Sequence, residues 1–224
     1  MRRQTKDSAA FGIATGAFLA EREDWEAAIA KARAGGWSVV ELTAIDERLF
    51  QALQTYLREH PHALAPFDRV SVHAPAVLST SAREVVDELA AWASTFDLIV
   101  HPDVYRECSA LEHLGGRVVF ENMDAGKRFG RTVGDLRSVF PDFPGAGFCL
   151  DVAHVWTNDR SLALGHELLD AFGDRLRQLH VSGIEPDGTH RETARADLDL
   201  YRPTLDRCAH VPWLLEAELE AARA

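Results

Sequence analysis

Hydrophobic residues in this chain fall into two kinds of run that alternate from end to end. Short β-branched clusters read as strands: FGIAT (11–15), SVVELTA (38–44), RVSVHAP (69–75), DLIVHP (97–102), RVVFEN (117–122), GFCLDVAH (147–154), LRQLHVSG (176–183) and VPWLLEAEL (211–219). Between them lie stretches whose apolar residues recur three and four apart. REDWEAAIAKARA is closed by Gly35 and Gly36, a second stretch starts near Asp46 and runs through LFQALQTYL, and a third is capped by Ser81 with Val85, Leu89 and Trp92 on one face. Further helices are predicted over 103–114, 132–140, 160–173 and 197–209, with a short last helix after Glu218.

Eight strands in 224 residues leave about 28 residues per unit, near the minimum for a strand, a helix and two turns. Strict alternation implies a parallel sheet, and eight units imply closure: an α/β, single-domain (β/α)8 TIM barrel over residues 1–224 with short loops. No glycine-rich phosphate loop follows any strand, which argues against a doubly wound nucleotide-binding sheet.

In such a barrel the chemistry sits where strands end. His73, His101, Glu121, Asp151, His180 and Glu216 occupy equivalent positions in units three to eight: from His73 to Glu216, five strand steps span 143 residues, about 28.6 each. His154 follows Asp151 by three. A single strand histidine is ordinarily a hydrogen-bonded core residue. A carboxylate ending an apolar run is harder to dismiss, because burying it is costly unless it is paired or metal-bound. Three converging carboxylates repel one another, and a divalent cation removes that conflict. Oxygen and imidazole donors with no cysteine pair suit Zn²⁺, Mn²⁺, Fe²⁺ or Co²⁺. Cys149 reads as core packing, Trp156 and Glu41 as candidates for substrate contact, with a rim or supporting role as the alternative for each. His60, His62, His113, His166 and His210 fall on predicted helices or their ends and receive no role.

The formal charge of −11, from 24 basic and 35 acidic residues, gives no long-range attraction to phosphate backbones, so nucleic acid is not the expected partner. Three scattered cysteines suit a reducing cytoplasm. Arg2, Arg3 and Lys6 before the apolar run 9–20 loosely imitate a secretion signal, but Asp7, Gly12, Thr15 and Gly16 interrupt it. No run reaches membrane-spanning length, and dimerisation is expected only as cover for a thin last helix.

The segments SVHAP, IVHPD, VFENMDAG, CLDVAH, LHVSG and LLEAEL, in this order, resemble the xylose isomerase-like barrel superfamily, which includes endonuclease IV and many sugar or sugar-phosphate isomerases and epimerases. The resemblance covers essentially the whole chain. It implies a four-ligand site at Glu121, Asp151, His180 and Glu216, a second ion held by His73 and His101 with Glu121 as bridge, and a third at His154 and His190. That third site normally carries an aspartate where this chain has Gly188; Asp187 is one residue off. One to three ions are therefore implied. The long nucleic-acid-binding loops of some relatives are lacking. The leading expectation is an isomerase or epimerase of a small sugar, sugar phosphate or polyol, with Glu121 and Glu216 moving the proton of an enediolate. The alternatives are a phosphoester hydrolase, with Lys127, Arg128, Arg131 or Arg191 as phosphate partners, a polynuclear-iron oxidative enzyme, and a non-catalytic barrel.

Overall fold

Eight parallel strands close into a ring in a computed structural model that describes residues 10–91, 96–186 and 188–220. In chain order the barrel strands are β1 (Phe11–Ala14), β2 (Val39–Thr43), β3 (Arg69–His73), β4 (Asp97–Val100), β5 (Val118–Glu121), β6 (Gly147–Asp151) and β7 (Leu176–Val181). A two-stranded antiparallel hairpin, β8 (Gly183–Ile184) and β9 (His190–Arg191), precedes the closing strand β10 (Trp213–Leu215), which lies between β1 and β7. The ring abolishes free sheet edges, and the outward faces of the strands pack on the surrounding helices.

Those helices start where side chains can satisfy their first backbone N–H groups. Asp24 accepts from Ala27 N (3.0 Å) ahead of α1 (Trp25–Ala34), and Asp46 from Leu49 N (2.8 Å) ahead of α2 (Glu47–Glu59). Ser81 and Glu84 cap each other's backbone at α3 (Ala82–Ala91); the expected apolar Trp92 lies outside the described residues. Thr132 and Asp135 form a reciprocal box at α5 (Val133–Val139). Outside the ring, Phe120 packs edge-on against Phe140 and tilted on Phe143, with centroids 6.0 and 5.3 Å away.

The structure redraws several predicted boundaries. The helix expected over 103–114 is a single turn, α4 (Pro102–Tyr105), followed by a 3-10 segment over Ser109–Arg117 that is broken at Gly115 with φ 56°. The expected strand 147–154 ends at Asp151, whose carboxylate accepts from His154 N (2.7 Å) and starts α6 (Val152–Asn158) at once. The helix expected over 160–173 is α7 (Ala163–Phe172), and that over 197–209 is α8 (Arg195–Leu205). The long final strand shrinks to three residues, and the strand expected over 176–183 is β7 up to Val181, after which Gly183 opens the unpredicted hairpin.

Strand alternation turns every second residue into the barrel. Directly below the ring of strand-end residues lies an interior layer with two halves. Ile99, Val119 and Cys149 form a separate apolar cluster there. Glu41, Ser71 and Gln178 are buried and hydrogen-bonded to one another through Glu41.

Candidate metal centre and cavity

The ends of β3, β5, β6 and β7, the residues just past β4 and β10, the first turn of α6 and the hairpin strand β9 bring all eight predicted donors to one mouth. Three groups have ligand atoms within 4.8 Å of one another: His73, His101 and Glu121; Glu121, Asp151, His180 and Glu216; and Asp151, His154 and His190. Glu121 and Asp151 each belong to two groups. The hairpin supplies His190, the one donor not attached to the barrel ring or its first turns.

Glu121 lies at the centre. Its Oε1 is 3.0 Å from His180 Nδ1 and 3.5 Å from His154 Nδ1, and its Oε2 is 3.4 Å from both His73 Nε2 and His101 Nε2. Glu216 Oε1 reaches His180 Nδ1 at 3.1 Å and its Oε2 reaches His190 Nδ1 at 3.5 Å. Donors held at about 2.0–2.2 Å from one cation stand roughly 3–3.5 Å apart, which is the spacing found here.

Hydrogen bonding within the site makes the same case. Glu121 Oε2, Asp151 Oδ2 and Glu216 Oε2 are buried without a hydrogen-bond partner. His73 Nδ1 donates to Ala74 O (2.9 Å), because a carbonyl oxygen only accepts. On the neutral ring, Nε2 is then a lone pair aimed at a carboxylate oxygen that is itself an acceptor. His154 likewise donates from Nδ1 to a carbonyl, Asn122 O (2.9 Å), which on the neutral ring leaves its Nε2 as the lone pair. Two acceptors facing each other in a dry site are repulsive unless a cation stands between them, so the residues present fit divalent metal ions.

Without an ion, protons carry the positive charge. Burial works to raise the Glu121 carboxyl, but His180, His101 and His73 outweigh it and hold it well below the usual range. Burial drives Asp151 well above its usual range, with Glu216 and Glu121 pushing the same way against His154 and His180. Burial also opposes a charge on His154, yet Asp151, Glu121 and Glu216 lift it to about 9. A dication would reverse the argument for Asp151 by favouring its ionised form.

Above the donors opens a cavity of about 680 Å³, a size suited to a small molecule. His73, His101, Glu121, His154, His190 and Glu216 form its polar floor, while Ala17, Leu19, Ile45 and Ala217 supply apolar wall. Two residues expected to touch substrate do not line it. Trp156 is packed against the core with the Arg160 guanidinium 3.4 Å above its ring. Glu41 is wholly buried beneath His180. Of the expected phosphate partners only Arg191 reaches the cavity, and Asp197 holds it at 2.7 Å; Lys127 pairs with Asp103, Arg131 bonds Asn158, and Arg128 is exposed elsewhere. Arg22 and Lys31 line the wall unforeseen. Nothing in their local pattern separates them from surface charges: Arg22 lies in the β1–α1 loop and Lys31 on α1, and only the tertiary fold brings them to the mouth.

No protein-family model and no curated protein matches the sequence. Among solved structures the chain is similar to a probable 3-DHS dehydratase of petrobactin synthesis from Bacillus anthracis, at 13% identity and TM-score 0.58 over 92% of this chain and 91% of that one. It is also similar to a xylose isomerase-like TIM barrel protein from Mycobacterium smegmatis in complex with magnesium, at 12% identity and TM-score 0.57 over 92% and 89%. A third is a sugar phosphate isomerase/epimerase from Parabacteroides distasonis, at 12% identity and TM-score 0.52 over 94% and 90%. At such identities the likeness is one of fold: this chain has the architecture of the xylose isomerase-like TIM barrels. Among the described residues no helix is long and apolar enough to cross a membrane.

Proposed function

We propose that this chain is a divalent-metal-dependent enzyme that isomerises or epimerises a small polyhydroxylated substrate such as a sugar or sugar phosphate. The observation that carries the reading is the convergence of Glu121 and Glu216, from different strands, on His180 Nδ1 at the cavity floor, at 3.0 and 3.1 Å. Glu121, Asp151, His180 and Glu216 would hold the ion. When bound, it supplies Lewis-acid polarisation of a substrate carbonyl and its neighbouring hydroxyl. Two carboxylates approaching from separate strands let one take the proton from the carbon beside the carbonyl and the other return a proton to the adjacent carbon or the opposite face. The imidazole donors favour manganese, iron, cobalt or zinc over magnesium. Two of the similar solved structures are a sugar phosphate isomerase/epimerase and a dehydratase, which supports small-molecule chemistry on this fold.

A second reading, a phosphoester hydrolase, has its own support. His73 and His101 converge on the other oxygen of Glu121, an arrangement a one-ion isomerase does not require. Elemental mass spectrometry on protein purified without chelator decides between them, with His73→Ala and Glu216→Ala in parallel. One ion per chain, kept in His73→Ala and lost in Glu216→Ala, supports the isomerase and directs screening to keto-sugars and their phosphates. Two or more ions, one of them lost in His73→Ala, support the hydrolase, or an oxidative enzyme if the element is iron. No bound metal after reconstitution overturns the whole reading.

A further inference from the structure

Glu41 lies wholly buried on β2, outside the cavity lining, and nothing in the chemistry above uses it. Its Oε2 nevertheless collects three polar groups. Ser71 Oγ donates to it at 3.0 Å, Gln178 Nε2 donates at 2.7 Å, and His180 Nε2 stands 3.1 Å away. The barrel register builds this cluster. Ser71 is the β3 partner of Glu41, and Gln178 precedes His180 by two on β7, so all point inward. Glu41 Oε1 is left buried without a partner. An apolar side chain of similar volume would fill this place without the cost of burying a carboxylate, so packing alone does not account for it.

A carboxylate oxygen only accepts hydrogen bonds, so the His180 nitrogen facing it carries a proton; the Gln178 amide nitrogen, 3.0 Å from the same nitrogen, gives its shorter hydrogen bond to Glu41. On a neutral imidazole the other nitrogen, Nδ1, is then the lone pair, and it is Nδ1 that faces Glu121 and Glu216. We propose that Glu41 is a positioning residue that fixes the tautomer and ring orientation of His180, so that Nδ1 is presented as a ligand, while Ser71 and Gln178 hold Glu41 in place. The proposal rests on the reading of Glu121, Asp151, His180 and Glu216 as a metal-binding set. Such outer hydrogen bonds typically set metal affinity within a factor of roughly 10–100.

The test measures Co²⁺ affinity by chelator competition, the visible Co²⁺ spectrum and the metal-free thermal midpoint for the wild type, Glu41→Gln and Val119→Ala. Val119 occupies the apolar half of the same interior layer and controls for lost packing. The expected result is a ten- to hundredfold affinity loss and an altered spectrum in Glu41→Gln. Val119→Ala is expected to lower the thermal midpoint while keeping affinity within about threefold. If Glu41→Gln does not fold, Glu41→Asp, which keeps the charge one methylene further back, takes its place with the same readouts. Wild-type affinity and spectrum in the Glu41 variant, or equal affinity losses in the two variants, overturns the inference and leaves the metal enzyme standing. A wild type that binds no Co²⁺ overturns both.

Discussion

At the scale of single residues, the strongest effects come from carboxylates whose partners are fixed by the fold. Outside the site the plainest case is Glu47. Thr80 N (2.8 Å), Ser79 N (3.0 Å) and both hydroxyls donate to its carboxylate, tying the loop after β3 to the start of α2. The Ser79 hydroxyl, then that of Thr80, bring its pKa from 4.5 down to about 2. A depressed folded-state value adds stability that is complete above the unfolded value and is lost as pH falls through the folded one. In urea titrations Glu47→Gln should therefore be less stable than wild type by a constant margin from pH 8 to 6. The margin should narrow between about pH 5 and 2. A pH-independent margin would show that charge on Glu47 contributes nothing. The convergence of the candidate-site residues was legible in the sequence, because Glu121, Asp151 and Glu216 each end an apolar run, an expensive place for a charge. The place of Glu41 was not legible: strand alternation points it inward, but only closure of the barrel, which brings β2 and β7 together across its interior, sets it beneath His180 instead of beside a substrate.

At the scale of elements, the strands were readable and their ends were not. Asp151 shows why. VAHVW is as apolar as the strand before it, so hydrophobicity alone carried the strand on to His154. Yet this aspartate, a member of two candidate donor groups, also caps α6, and that bond turns the chain. The hairpin was hidden for another reason. Gly183 packs against Arg191 and the Glu192 carbonyl, and Gly188 takes φ 89°, so the turn depends on two glycines five apart and not on a compact turn motif. Close backbone approach also makes a prediction at the barrel seam. A Cβ on Gly12 would stand 2.7 Å from Leu214 Cδ2 and 2.8 Å from Val39 O, contacting the strands on both sides of β1. Gly12→Ala should cost about 1–3 kcal/mol of unfolding free energy as an overpacked core site. A denaturant midpoint equal to wild type would show that β1 shifts freely.

For the whole molecule, the site and the stability of the barrel are linked. Ions that bind only the native chain stabilise it by mass action, about 2.7 kcal/mol at a hundredfold excess over Kd. For a domain of this size that corresponds to roughly 5–10 °C in Tm. Thermal melts with saturating Mn²⁺ or Zn²⁺ should lie above those in EDTA by that order, and Glu216→Ala should remove most of the difference. Coincident melts would separate folding from metal binding. The closed ring adds a consequence for how the protein is made. Glu216 follows the strand that pairs with β7 on one side and β1 on the other, so the β7–β10 pairing completes the four-donor set and the β10–β1 pairing closes the ring. His73, His101 and Glu121 lie on adjacent β-units, and so do Glu121, Asp151, His180 and Glu216, so both groups come together through pairings between consecutive units, whereas the β1–β10 seam joins strands from the two ends of the chain. Both donor groups can thus form before the ring shuts, so an ion bound there would clasp neighbouring β-units together ahead of the seam.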